Sequence, residues 1–172
     1  VQSRTLPVSW EYVGQTTGSK DVEVRARVTG ILEAKLYAEG SAVKAGQPLF
    51  TIDPKPLEAQ AAAARAEVAR AEAQVAQAER EAARLKPLAE RRAVGQKEAD
   101  DALSAADLAR ASLKVAQAKL AEVELNLGYT RVVAPVAGLS SRAMKSEGSL
   151  VTANETLLTV ISQVDPIWVP FG

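Results

Sequence analysis

Between Pro54 and Gly128 the apolar residues recur in steps of four and three without a slip. A first arm carries Leu57, Ala61, Ala64, Val68, Ala71, Val75, Ala78, Ala82 and Leu85. A second carries Ala99, Ala102, Ala106, Ala109, Leu113, Ala116, Leu120, Val123 and Leu127. Such spacing is the a/d seam of a coiled coil, and it predicts two long helices folded into an antiparallel hairpin. Arg65, Glu67, Arg70, Glu72, Glu79 and Arg80 on one arm, and Arg110, Lys114, Lys119, Glu122 and Glu124 on the other, fall between the seam positions and mark solvent faces. Each arm has about 30 residues, so the hairpin is a rod of roughly 45 Å. Its seam is mostly alanine. The helices can approach closely, but each layer buries little area at roughly 25 cal/mol per Å². Alanine's helix propensity therefore supplies part of the stability. Ala64, Val68, Ala71 and Val75 are expected to face Ala106, Ala109, Leu113, Ala116 and Leu120. A thin rod has little interior for a pocket, which favours a spacer or docking role over catalysis.

On either side of the rod the period changes to two. Val8, Trp10 and Tyr12 alternate with Ser9, Glu11 and Val13 as a half-buried strand, closed by Gly14 and the polar run Gln15 to Lys20. A second strand places Val22, Val24, Ala26 and Val28 on one face and Glu23, Arg25 and Arg27 on the other. From Val28 the sequence repeats itself 108 residues later without a gap as far as Ile52. Val28-Thr29-Gly30-Ile31-Leu32 meets Val136-Ala137-Gly138-Leu139-Ser140, and Glu39-Gly40-Ser41 meets Glu147-Gly148-Ser149. Gly30/Gly138 and Gly40/Gly148 are expected at turns that need positive φ or close backbone approach. Gly46 meets Asn154, an exchange that keeps a left-handed conformation cheap. Each repeat is thus a small unit of short strands and tight turns, unstable alone and able to share one core with the other. The hairpin is inserted between them. Asp53-Pro54-Lys55-Pro56 offers a helix cap and a proline-rich first turn, and Gly128 a helix stop. Gln163 to Phe171 starts a further strand, expected to join Val8–Val13 in a β domain that this chain does not complete.

The reversal spans Arg84 to Lys97. Pro87 is expected to bend or loosen the first arm, and Gly95 to mark the turn. Arg84, Lys86, Arg91, Arg92 and Lys97 stand against Glu90 alone, and Leu88 and Val94 have no heptad partner. A rod ending in free aliphatics and unpaired cations suits docking.

Composition narrows the chemistry. The chain of 172 residues has no cysteine, no histidine and one methionine, Met144. That removes thiolate and disulfide chemistry, the usual zinc sets, the Ser/His/Asp triad and imidazole acid–base work, and argues against a soft-metal site. The carboxylate pairs Glu79/Glu81 and Asp100/Asp101 lie on solvated helix faces. Formal net charge is zero, so nothing argues for nucleic-acid binding. No apolar run is long enough to span a membrane, and no signal peptide or lipidation cysteine is present. The abrupt ends at Val1-Gln2-Ser3 and Pro170-Phe171-Gly172 read as those of a fragment.

The split pattern resembles a known family. Gly30…Glu39-Gly40…Val43…Gly46…Leu49-Phe50-Thr51-Ile52-Asp53, the hairpin, Tyr129-Thr130-Arg131-Val132-Val133-Ala134-Pro135-Val136-Ala137-Gly138 and Val164-Asp165-Pro166-Ile167-Trp168-Val169 resemble the periplasmic adaptors, or membrane fusion proteins, of tripartite RND efflux pumps, of the AcrA/MexA type. The resemblance implies an α+β fold, a split lipoyl-like (biotinyl-like) β domain with an inserted antiparallel coiled-coil hairpin, plus the start of a β-barrel domain. The expected boundaries are 1–20 leading from the barrel, 21–53 and 129–162 as the lipoyl-like halves, 54–128 as the hairpin, and 163–172 re-entering the barrel. It implies a non-enzymatic subunit without cofactor, periplasmic and anchored to the inner membrane of a Gram-negative bacterium. Its partners would be an inner-membrane RND transporter, an outer-membrane channel, and further copies of itself in a trimeric or hexameric ring. The family's tip docks through an Arg, a Leu four residues on and a Ser seven further; Arg84 and Leu88 match, and Gly95 stands where the serine would be. Arg91, Arg92 and Val94 complete the expected contact. The hairpin occupies the turn where a lipoyl carrier would present its lysine, so Lys55 is not expected to be modified. Two other readings are a carrier domain of a biotin- or lipoate-dependent enzyme, which needs that lysine, and an adaptor of an ABC or major-facilitator exporter, with a longer hairpin.

Overall fold

A computed structural model describes residues 17–168. The chain divides into two units, a β body drawn from both sides of the insertion and a helical unit of residues 52–131. In order the elements are β1 (Thr17–Arg25), β2 (Gly30–Lys35), β3 (Ala42–Val43), β4 (Pro48–Ile52), α1 (Lys55–Glu90), α2 (Gln96–Gly128), β5 (Arg131–Val133), β6 (Gly138–Ser140), β7 (Leu150–Val151) and β8 (Leu157–Trp168).

The strands form two four-stranded sheets, ordered β1-β8-β6-β3 and β5-β4-β2-β7. Under the repeat of the sequence, β2, β3 and β4 correspond to β6, β7 and β8. Exchanging these counterparts turns β8-β6-β3 into β4-β2-β7, and β1 and β5 take the same outer place in the two sheets. Each sheet therefore takes strands from both halves. The pairing is reciprocal to the residue: Gly30 lies opposite Val151 and Gly138 opposite Val43. The Leu32 N–H donates to the Ser149 carbonyl at 2.9 Å, and the Ser140 N–H to the Ser41 carbonyl at 2.9 Å. The Gly46 N–H reaches Ala134 O at 2.8 Å, and the Asn154 N–H reaches Ala26 O at 2.7 Å. A half on its own would leave these backbone groups without partners, which is costly once they are buried.

The turns follow the sequence closely. Gly40, Gly46 and Gly148 have φ of 73°, 80° and 83°, and Asn154 has 64°. Ser41 N–H to Ala38 O and Ser149 N–H to Ser146 O close four-residue turns with the left-handed glycine third, as in a type II turn. Gly30 and Gly138 depart from the turn expectation, since both open strands. At Gly138 the reason is close approach: a Cβ there would sit 2.5 Å from the Ser162 carbonyl oxygen.

Within the body, Leu32, Leu49, Phe50, Val151, Leu158 and Ile161 are fully buried. The Tyr37 ring meets Phe50 edge-on at 5.3 Å. The buried Ser140 and Thr159 hydroxyls lie within hydrogen-bond distance of the Ser41 and Ser141 carbonyls. Two expectations change. Thr17 to Lys20, taken as a polar connection, are strand, because they pair with residues 163–168. Residues 163–168 in turn are no separate strand but the continuation of β8. The expected strand at Val8, Trp10 and Tyr12 lies outside the described residues.

In the helical unit every one of the seam positions of both arms is buried or half-buried. Asp53 accepts the Lys55 N–H at 3.0 Å, satisfying one free donor of the first turn of α1. Two ion pairs cross between the helices, Arg65–Glu124 and Arg110–Glu79. They lie two heptads apart on each helix, so the register runs between them without a stutter. This register corrects the expected facing. Residues 64–75 lie level with the stretch near 114–125, whereas Ala106 belongs further out, in one cluster with Ala82, Leu85, Ala99 and Ala102. The ion pairs are half-exposed, so solvent screens them and they fix register more than they add stability.

Candidate docking site at the hairpin tip

The tip is built by the last turn of α1, the connection 91–95 and the first turn of α2. The first helix, α1, continues past Pro87 to Glu90. Pro87 only forgoes its bond to the Ala83 carbonyl on a solvent-facing stretch. The helix then ends in a Schellman motif. The Ala93 N–H donates to Leu88 O at 2.8 Å and the Arg92 N–H to Ala89 O at 2.9 Å. The left-handed residue of that motif is Arg92, with φ of 57°. Gly95 is not the reversal: it has φ of −67° and caps the start of α2 without a side chain. A Cβ on Gly95 would meet nothing within 4 Å.

The expected contact residues divide into three groups. Leu88 is 36% exposed and lies off the seam. Val94, expected to be free, packs against the Ala82–Leu85–Ala99–Ala102–Ala106 cluster and holds the turn down. Arg84, expected to be unpaired, donates to both carboxylate oxygens of Glu81 at 2.6 Å. That hydrogen bond and the carboxylate charge raise its pKa further. The partner was readable from the i, i+3 spacing, which places the two side chains side by side on a helix. Arg91 and Arg92 are exposed.

Among the described residues no group of acidic side chains could hold a metal ion, and no helix is long and apolar enough to cross a membrane. Glu79 and Glu81 are engaged by Arg110 and Arg84, and Asp100 accepts from Gln96 at 3.2 Å. A shallow groove of about 330 Å³ runs beside the seam, lined by Gln74, Gln77, Ala78, Glu81, Ala102 and Ala105. One feature went unread in the sequence. Leu108, Val115 and Leu125 on α2 are more than half exposed; with Ala111 and Ala118 they follow steps of three, four, three and, across Glu122, seven. This is a second heptad stripe, on the side of α2 away from the seam.

Residues 20–163 match the family model of the RND MFP barrel-sandwich hybrid domain. The chain belongs to the RND membrane fusion protein family. It is 41% identical over 174 residues to the efflux pump periplasmic linker BepD of Brucella suis, covering 100% of this chain and 44% of that protein. It is also 41% identical over 170 residues to the membrane fusion protein MtrC of Neisseria gonorrhoeae, covering 98% and 41%. The crystal structure of ZneB from Cupriavidus metallidurans shares the fold with a TM-score of 0.65 at 24% identity, over 92% of this chain and 67% of that one. The chain spans less than half the length of these two relatives. The split β body around a hairpin is thus a barrel-sandwich hybrid, in agreement with the α+β architecture expected from the repeat.

Proposed function

We propose that this chain is the central part of a periplasmic adaptor that links an inner-membrane RND transporter to an outer-membrane channel for export of drugs or other small toxic compounds. The observation that carries this is a long two-helix rod inserted between the halves of a strand-exchanged β body, in a chain of this family. In this reading the rod spans distance and the body holds it, a mechanical role rather than an enzymatic one. The names of the relatives, a periplasmic linker and a membrane fusion protein, support a periplasmic site in a Gram-negative bacterium. The adaptor is, in this reading, anchored to the inner membrane. In this reading residues 1–20 and 163–172 lead to and from a β-barrel domain, and residues 21–53 and 129–162 are the lipoyl-like halves. Residues 54–128 are the hairpin.

The tip is the channel contact. Leu88 fills an apolar groove between partner helices, while Arg84, Arg91 and Arg92 supply charge-assisted hydrogen bonds. Arg84 must exchange Glu81 for the partner's acceptor, so its net contribution is smaller than that of a free arginine. Copies of the chain assemble in a ring, a trimer or a hexamer. The exposed stripe of Leu108, Val115 and Leu125 gives the neighbouring hairpin an apolar face to pack on. The test uses the full-length protein in cells, with drug susceptibility and cross-linking to the channel as readouts. Leu88→Asp should abolish both while leaving folding and transporter binding intact, because Leu88 lies outside the seam. Full resistance and full cross-linking in that variant would show the tip to be only a turn.

A further inference from the structure

The duplicated glutamates Glu39 and Glu147 each precede the left-handed glycine of their turn, and each reaches into the other half. The Lys35 N–H, at the end of β2, donates to Glu147 Oε1 at 2.8 Å. At the equivalent place in the second half the Ala143 N–H donates to Glu39 Oε1 at 3.1 Å. The glycines beside them make the same exchange: Gly40 N–H to Ser140 O at 2.9 Å and Gly148 N–H to Leu32 O at 2.8 Å. One asymmetry breaks the two-fold relation. The Lys35 Nζ lies 2.7 Å from Glu39 Oε1, whereas Ala143, the counterpart of Lys35, has no charge to offer. Lys35 therefore touches both carboxylates, one through its backbone and one through its ammonium.

We propose that Glu39 and Glu147, joined through Lys35, form a reciprocal clasp that makes segments 36–41 and 142–149 open and close as one unit at this end of the sandwich. The proposal is independent of the adaptor reading. One carboxylate satisfies the N–H of Lys35 at the end of β2 and the other that of Ala143 in the connection after β6, so loss of one side frees a backbone donor of the opposite half. Opening would move Leu36 and Met144, already exposed, and would break the bond that the Tyr37 hydroxyl donates to the Ser141 carbonyl at 3.1 Å. The charged and titratable groups that face the clasp are Lys35, Tyr37 and Arg142. The Lys35 side chain first, and the Ala143 N–H second, hold the Glu39 carboxyl below the usual carboxylate range. A depressed carboxyl stabilises the folded state above its unfolded pKa, and that contribution is lost as pH falls through the folded value. The Glu39 side of the clasp therefore loses its contribution only as pH falls through that lowered value.

Amide hydrogen exchange on the whole chain tests this, corrected for intrinsic rates. Glu147→Ala should raise exchange at the Lys35 amide directly. It should also raise exchange at the Ala143 amide, which Glu39 holds, by about tenfold. The Gly46 and Asn154 amides, in the other pair of turns, should keep their protection. Glu147→Gln keeps the size of the side chain and should show the same pattern more weakly. In the wild type the Ala143 amide should lose protection as pH falls through the lowered Glu39 value, and Lys35→Met should move that loss to higher pH. An Ala143 amide unchanged in both Glu147 variants would overturn the coupling. Acid release unmoved in Lys35→Met would overturn the role of lysine as the joint.

Discussion

The β body and the hairpin hide apolar surface by opposite means. The body packs a few large side chains, Phe50, Leu32, Leu49, Leu158 and Ile161, all at 0% exposure. Each such burial is worth about 1.5–3 kcal/mol. Its strand partners lie far apart in sequence, as Gly30 and Val151 do. The hairpin repeats one thin layer many times, and its buried residues are mostly alanine. Its stability is spread along some 36 and 33 helical residues. One unit is specified by a few decisive contacts between duplicated halves, the other by a periodic pattern in which no single layer decides. The difference suits an anchor and a spacer.

The largest expected effect separates the two at their cores. Phe50→Ala removes a fully buried ring that meets Tyr37 edge-on and should cost the body about 3–5 kcal/mol. The β body should then melt at lower temperature while the helical signal at 222 nm persists. If helical and β signals were lost together at the lowered temperature, the two units would be one cooperative block.

The converse substitution comes second. Ala71 is 3% exposed in the seam, and Ala71→Glu would place a charge between close-packed helices, where it can be solvated only by parting them. A cost of roughly 1–3 kcal/mol is expected, confined to the helical unit. Helix content and its midpoint should fall while amide protection in the sheets stays. Unchanged helicity would mean that the assigned seam is wrong.

This contrast also explains what could be read from the sequence. Every seam position that the heptad steps named is buried or half-buried, because a coiled coil writes its contacts every three or four positions; Ala89, which also packs on the seam cluster, was not among them. The 108-residue repeat located the turns at Gly40, Gly46, Gly148 and Asn154, because left-handed backbone leaves a local mark. The order of the strands was not legible, although two halves that share one core could be inferred. Strand exchange depends on which half closes which sheet, and no residue type records that. The relative height of the two helices was misjudged for a similar reason: alanine layers are nearly interchangeable, and only Arg65–Glu124 and Arg110–Glu79 fix it. At the tip, composition pointed to Gly95 as the reversal, yet the backbone places an arginine in the left-handed position. Six residues of Schellman hydrogen bonding outweighed the local preference for glycine.

The smallest effect is at that glycine. Gly95 precedes α2 with extended backbone and no side-chain cap, and there is open space where a Cβ would lie. Nothing in its geometry requires glycine. Gly95→Ser should therefore be accepted without strain, and its hydroxyl could take an N–H of the first turn of α2. Glycine at a helix N-cap is worse than serine by only a few tenths of a kcal/mol, so the gain in stability should be of that size. It would appear as a slight rise in the helical midpoint. The same substitution restores the third residue of the family's docking pattern, beside Arg84 and Leu88. Tighter cross-linking to the channel together with that small gain would support a direct contact at position 95. The stability gain without tighter cross-linking would assign the position to the helix alone, leaving Leu88 as the centre of the contact. A loss of stability would contradict the open geometry of the turn.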